Sequence, residues 1–261
     1  MTGINQRVAL IGAGKVARQM GRWMRSSGVE ITQVYNRTFS EAENLAGLVG
    51  ATAISDLSEI ADVQMVIIAV SDDAIAAVSA AMPAVDAVVV HTSGTRPIED
   101  LNQHVHCGVF YPLQTFTDDV EVDFRQVPVC IEGVDPETEE LLRVCCLTWG
   151  AFPYILNSSQ REVLHVAAVI ANNFANHLWG KSFELLNKYD IEPDILFPLM
   201  METVQKAIHA DPHSVQTGPA VRGDKKTIER HLQKLKSDDN LREIYRKLTT
   251  SIQETQKHGK L

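Results

Sequence analysis

Six residues, "GAGKVA" from Gly12 to Ala17, have the spacing of a turn that holds phosphate. In the pattern G-x-G-x-x-A, Gly12 permits a tight turn, Gly14 lets a pyrophosphate approach the backbone, and Ala17 lets the next helix pack closely. Lys15 and Val16 complete the turn, and the helix start that follows offers amide hydrogens and a positive dipole end. Asn36 stands where such a unit normally carries a carboxylate for the ribose hydroxyls, and Arg37 and Thr38 follow it. A carboxylate would repel a 2′-phosphate, whereas a guanidinium can grip it with two bonds and a hydroxyl can add a donor. The spacing therefore predicts NADP rather than NAD. The missing acid also counts against an S-adenosylmethionine methyltransferase.

Further along, "AVSDDAI" (69–75) reads as a strand end running into a helix. Val70, Ser71 and Asp72 would border the ribose–nicotinamide end of a dinucleotide, with Asp72 as candidate helix cap. In "HTSGT" (91–95), the hydroxyls of Thr92 and Ser93, with Gly94 permitting close approach, suit a pocket for a carbonyl or imine oxygen. "YPLQTF" (111–116) supplies Tyr111, a phenol able to donate a hydrogen bond but a poor proton shuttle at neutral pH. On the apolar run "VLHVAAVIANNFANHLW", His165, Asn172 and Asn176 fall within about 40° of one another at helical spacing. Such a stripe predicts a polar neighbour, with His165 as candidate acid/base and Asn172 as an anchor for substrate or cofactor amide. Seven residues rise roughly 10 Å, so the two would bracket a substrate rather than touch one atom. In "GPAVRGD", Asp224 reads as a helix cap and Arg222 as a candidate receptor for a substrate carboxylate or phosphate. His104, His106, His209 and His213 lack ligand spacing, and no metal is expected.

These residues need a scaffold. Short β-branched runs at 7–12, 31–36, 63–70 and 87–94 alternate with helix-patterned segments at 15–28, 40–50 and 72–82. Continuous apolar strands separated by helices indicate a parallel sheet covered on both faces. Two more strands are expected at 106–112 and 127–133, then a helix at 135–150 with Asp135 as cap and Pro136 in its first turn. Beyond Ser158 strand patterns stop, and helices are expected at 158–189, 192–210 and 224–258. The expected fold class is α/β: a Rossmann-type doubly wound parallel sheet (1–157) followed by an all-helical C-terminal domain (158–261).

The bulk properties are those of a globular chain, with 45% apolar and 22% charged residues. The net charge of −9 contains no basic block, so nucleic acid is not an expected partner. No apolar run is long enough to span a bilayer, and no secretory leader is expected. The four cysteines, Cys107, Cys130, Cys145 and Cys146, form no C-x-x-C pair and read as small core hydrophobes of a reduced, cytoplasmic protein.

With "GAGKVA", "NRT" and "AVSDDAI" in this order, the N-terminal part resembles the oxidoreductases grouped with pyrroline-5-carboxylate reductase, the β-hydroxyacid dehydrogenases and the deazaflavin-dependent NADP reductases. "HTSGT", "YPLQTF", "HVAAVIANNFANHL" and "GPAVRGDKKTIERHLQKL" extend the resemblance over nearly the whole chain. They are similar to a bacterial group that joins a Rossmann-like domain to a helical C-terminal domain of uncharacterised function. The resemblance implies NADP as cofactor, a small-molecule substrate and a homodimer built through the helical domain. β-Hydroxyacid dehydrogenases carry a catalytic Lys one turn before an Asn; here His165 is the titratable residue, seven positions before Asn172. Tyr111 replaces the His that relatives often place before this Pro. The expected activity is hydride transfer between NADP(H) and a small, anionic carbonyl or imine compound. Two alternatives stay open: hydride exchange with a deazaflavin or flavin partner, and an NADP(H)-binding sensor or assembly protein without turnover.

Overall fold

The structure is a computed structural model and describes residues 6–117 and 122–258. The chain divides into two compact units, residues 1–169 and 170–261.

The first unit is built on an eight-stranded sheet of β1 (Arg7–Ile11), β2 (Glu30–Tyr35), β3 (Thr52–Ile54), β4 (Met65–Ile68), β5 (Val88–His91), β6 (Cys107–Pro112), β7 (Pro128–Gly133) and β8 (Phe152–Ile155). Their order is 3-2-1-4-5-6-7-8, and every neighbouring pair is parallel except β6 with β7. Helices α1 (Lys15–Ser26), α2 (Phe39–Val49), α3 (Ile75–Ala81) and α4 (Pro136–Thr148) lie between strands, and α5 (Ser158–Ala168) ends the unit. The central strands are buried throughout because each face has its own core. Val8 and Leu10 join one cluster with α1, α2 and α4, while Ala9 and Ile11 join the other with Ile75 of α3. β4 divides the same way, with Met65 and Ile67 on one face and Val66 and Ile68 on the other.

All four cysteines are free and buried. Burial pushes the Cys130 thiol up to about 11 and that of Cys146 to about 12, as expected for inert core residues. The α4 start is as read from sequence: the Asp135 side chain accepts from Thr138 N at 2.7 Å, with Pro136 in the first turn.

Two strands escaped the pattern reading. β3 is three residues long, and β8 carries exposed Phe152, Tyr154 and Ile155 on an edge, so neither shows a buried run. The unit also extends beyond residue 157, because the start of α5 is tied to the sheet: Ser158 N and Oγ both donate to Glu132 of β7.

The second unit contains α6 (Ala175–Asn187), α7 (Phe197–His209), α8 (Lys225–Lys234) and α9 (Asp239–His258). The expected helix 224–258 is two helices, broken at Leu235–Asp238, while Asp224 caps α8 by accepting from Thr227 N. Between α5 and α6 the backbone widens into a π-helical stretch, Val169–Phe174. No described helix is long and apolar enough to cross a membrane.

Candidate functional site

β1 lies between β2 and β4, so the chain reverses its direction across the sheet at this point and leaves a crevice at the carboxyl ends of the strands. The glycine turn closes the end of β1. Gly12 has φ +109°, a left-handed conformation, and an added Cβ would meet Ala69 O at 2.2 Å. Its amide donates to Tyr35 O, and Ala69 N donates to Ile11 O, tying the turn to both neighbouring strands. Gly14, at the cap position of α1, differs: a Cβ there would project into open space. Ala17 is buried against the sheet. Arg18, not singled out from sequence, buttresses the turn by donating from Nε to Ala13 O at 2.9 Å while its guanidinium pairs with Glu41. A stray arginine inside a helix pattern gave no signal of this.

A cleft of about 770 Å³ opens over this turn. It is lined by Gly12, Gly14, Lys15, Val16, Asn36, Arg37, Thr38, Val70, Ser71, Asp72 and Thr92, among others. The side chains predicted from spacing to hold a dinucleotide thus meet in one place, apart from buried Ala17 and from Gly94. Arg37 is exposed and has no ion-pair partner among the described residues. Thr38 occupies the cap position of α2, yet its hydroxyl makes no capping bond. Asn36 donates to Thr38 O at 3.0 Å and shapes the loop.

The far end of the cleft corrects three expectations. Asp72 caps no helix: Ser71 precedes the short 3-10 turn Asp72–Ala74, and the Asp72 carboxylate instead accepts from Thr95 Oγ1 at 2.6 Å. Ser93 does not line the cleft. It is buried, and its Oγ accepts from Thr95 N at 3.1 Å and Arg96 N at 3.0 Å, so the hydroxyl builds its own turn. Gly94 does not line the cleft. An added Cβ would lie 2.7 Å from His165 Nδ1 and 2.8 Å from Tyr111 Cζ, so this glycine makes room for two side chains.

Those two side chains form a pair. Tyr111 Oη and His165 Nδ1 are 3.1 Å apart, with ring centroids at 6.1 Å. Sequence spacing could not join them, because Tyr111 sits on β6 and His165 on α5. Burial pushes the Tyr111 phenol up to about 12, so it stays protonated across the neutral range. Below the same turn, His91 is buried with Nε2 3.3 Å from Pro97 O, while Nδ1 accepts from Ser93 N at 3.2 Å. Desolvation, aided by the charge of Arg161, lowers its pKa to about 4 and keeps the imidazole neutral.

The remaining candidates belong to the second unit. Asn172 lies within the π-helical stretch and is exposed, as is Asn176. The angular arithmetic that aligned them with His165 assumed an unbroken α-helix, and the wider turns of 169–174 invalidate it. Arg222 is exposed in the turn before α8, without an ion-pair partner among the described residues. No cluster of metal-ligating side chains occurs among the described residues.

BF3122 from Bacteroides fragilis, provisionally named an NADP oxidoreductase, is 36% identical to this chain, with 96% of this chain and 98% of BF3122 covered and a TM-score of 0.87. The chain belongs to the family of BF3122. It is the Rossmann-type NADP oxidoreductase family with a helical C-terminal domain that the motifs resemble. Within the family's two-part layout, residues 3–97 match the profile of shikimate / quinate 5-dehydrogenase, and residues 127–252 match a domain of unknown function, DUF2520. The fold also extends to a reductive aminase from Aspergillus terreus in complex with NADPH and ethyl-5-oxohexanoate. It has a TM-score of 0.74 at 14% identity, covering 98% of this chain and 95% of the aminase. A 50-residue stretch is 46% identical to glutamyl-tRNA reductase of Maridesulfovibrio salexigens, covering 19% of this chain and 11% of that enzyme.

Proposed function

We propose that this protein is an NADP-dependent oxidoreductase that reduces a small carbonyl or imine compound. The observation that carries the reading is the cleft itself, which joins an open phosphate turn at Gly14 to an unpaired guanidinium at Arg37 and an unspent hydroxyl at Thr38. The residues present fit the cofactor: the space beyond Gly14 admits a pyrophosphate, and Arg37 with Thr38 would receive the 2′-phosphate. Val70, Ser71, Asp72 and Thr92 would line its nicotinamide half. Bound NADPH supplies a hydride.

The chain's own residues then manage the proton. Tyr111 Oη carries a proton at neutral pH and would donate it to the substrate oxygen or nitrogen, and His165 Nδ1 would return one to the phenolate. Arg222 is the proposed receptor for an anionic substrate group. The reading also includes a homodimer built through the helical unit.

Titration calorimetry with NADPH and NADH, together with a panel of oxo acids, cyclic imines and aldehyde–amine mixtures followed by NADPH absorbance, tests it. NADPH should bind more tightly than NADH. Arg37→Asp should weaken NADPH by roughly 10- to 100-fold, the loss of a charge-assisted contact plus a new repulsion. Unchanged NADPH affinity in that variant would overturn the cofactor assignment.

A further inference from the structure

Arg161 is the largest fully buried side chain, with 1% of its surface exposed. Burying a guanidinium is costly, and a well-packed apolar side chain of the same volume is often at least as stable. Its contacts indicate another use. The guanidinium pairs with Glu132 on β7, donates to Arg96 O and donates to Ser158 Oγ at 3.2 Å. Ser158 Oγ also accepts from Ile98 N at 3.2 Å. One network therefore ties the first turn of α5 to β7 and to the turn that contains Gly94.

The register of the sheet carries this to Tyr111. Tyr111 stands opposite Cys130 and Val109 opposite Glu132, so alternate positions place Tyr111 and Glu132 on the same face of β6–β7. On α5, Arg161 and His165 are four residues apart and share a helix face. The helix is thus fastened to that face at two points one turn apart: Arg161 on Glu132, and His165 on Tyr111. Resting on the Tyr111–His165 reading above, we infer that Arg161 with Glu132 is the positioning residue of that pair, fixing the turn of α5 that holds His165 Nδ1 against the phenol.

Histidine tautomers give a readout that needs no substrate. In full-length protein labelled with ¹⁵N-histidine, long-range proton–nitrogen spectra report the state of each ring nitrogen, and His165→Asn assigns the His165 signals. Wild type should show one fixed tautomer, with Nδ1 protonated and hydrogen-bonded to the phenol oxygen, a signature lost in Tyr111→Phe. Arg161→Met and Glu132→Gln should each convert the His165 signals to the averaged form seen in Tyr111→Phe. NADPH affinity should stay within about twofold, since neither Arg161 nor Glu132 lines the cleft. Arg161→Lys should restore part of the signature. Wild-type His165 signals in both Arg161→Met and Glu132→Gln would overturn the positioning role while leaving the pair intact. Signals insensitive to Tyr111→Phe would instead remove the pair, and the inference with it. Should Arg161→Met fail to melt cooperatively, Glu132→Gln, which removes a charge at constant shape, decides alone.

Discussion

At the scale of single residues, the site depends on side chains that spend or keep their hydrogen-bonding capacity. Ser93 spends its acceptor capacity on the turn, whereas the Tyr111 hydroxyl meets only His165 among the described residues. Tyr111→Phe should therefore lower turnover by about 10²–10⁴-fold with NADPH binding unchanged, measured by steady-state kinetics beside calorimetry. His91 governs stability instead. Its folded pKa of about 4 lies below the ordinary value of 6.5, so between these values the unfolded chain binds a proton that the folded chain refuses. The contribution, on the order of 3 kcal/mol, is intact above pH 6.5 and is lost as pH falls through about 4. Thermal melts between pH 7.5 and pH 4.5 check it: wild type should lose stability across this window, and His91→Gln should give a flatter profile. The histidine was invisible as a functional residue in the sequence because its role is to hold a turn, and nothing in "VVVH" marks which carbonyl its ring will meet.

At the scale of elements, what could be read depended on local period. Gly12, Gly14, Arg37 and Thr38 belong to one turn and one strand end, so spacing alone placed them in a common cleft. The Tyr111–His165 pair joins β6 to α5, and the Arg161–Glu132 clamp joins α5 to β7. Long-range pairings of this kind leave no periodic trace. The π-helical stretch Val169–Phe174 escaped for a different reason: it contains no Gly or Pro to mark a break in the helix pattern, and a change from i+4 to i+5 bonding has no composition signature. Its geometry predicts weaker backbone hydrogen bonds than those of α5 and α6. Hydrogen exchange read by mass spectrometry or NMR should show faster exchange at 169–174 than in the flanking helices. Equal protection across the three segments would mean the run is an ordinary α-helix in solution, and the alignment of His165 with Asn172 and Asn176 would regain its force.

At the scale of the whole molecule, the distribution of apolar surface is unequal. Apart from Phe39, Leu48 and Val105, the exposed large apolar side chains lie between Val134 and Leu248. Among described residues from 170 onward, only Ala220 and Leu235 are buried apolar side chains, too few to hold a helical unit of this size. α7 makes the deficit concrete. Phe197, Met201, Val204 and Ile208 fall within about 60° of one another at helical spacing, and all four are exposed. Fully burying a large apolar side chain contributes about 1.5–3 kcal/mol, so these four half-exposed residues offer up to roughly 6–12 kcal/mol to whatever covers them. A second copy of the chain is the proposed cover, because a two-fold pairing presents the same apolar stripe from both sides and leaves none over. Light scattering or sedimentation at micromolar concentration should then give twice the 28.9 kDa chain mass. Met201→Glu with Ile208→Glu should release monomers with a lowered melting temperature, because the same surface that joins the copies completes the core of each. A wild-type monomer that melts cooperatively at the same temperature as this double variant would remove the second copy as the cover for α7.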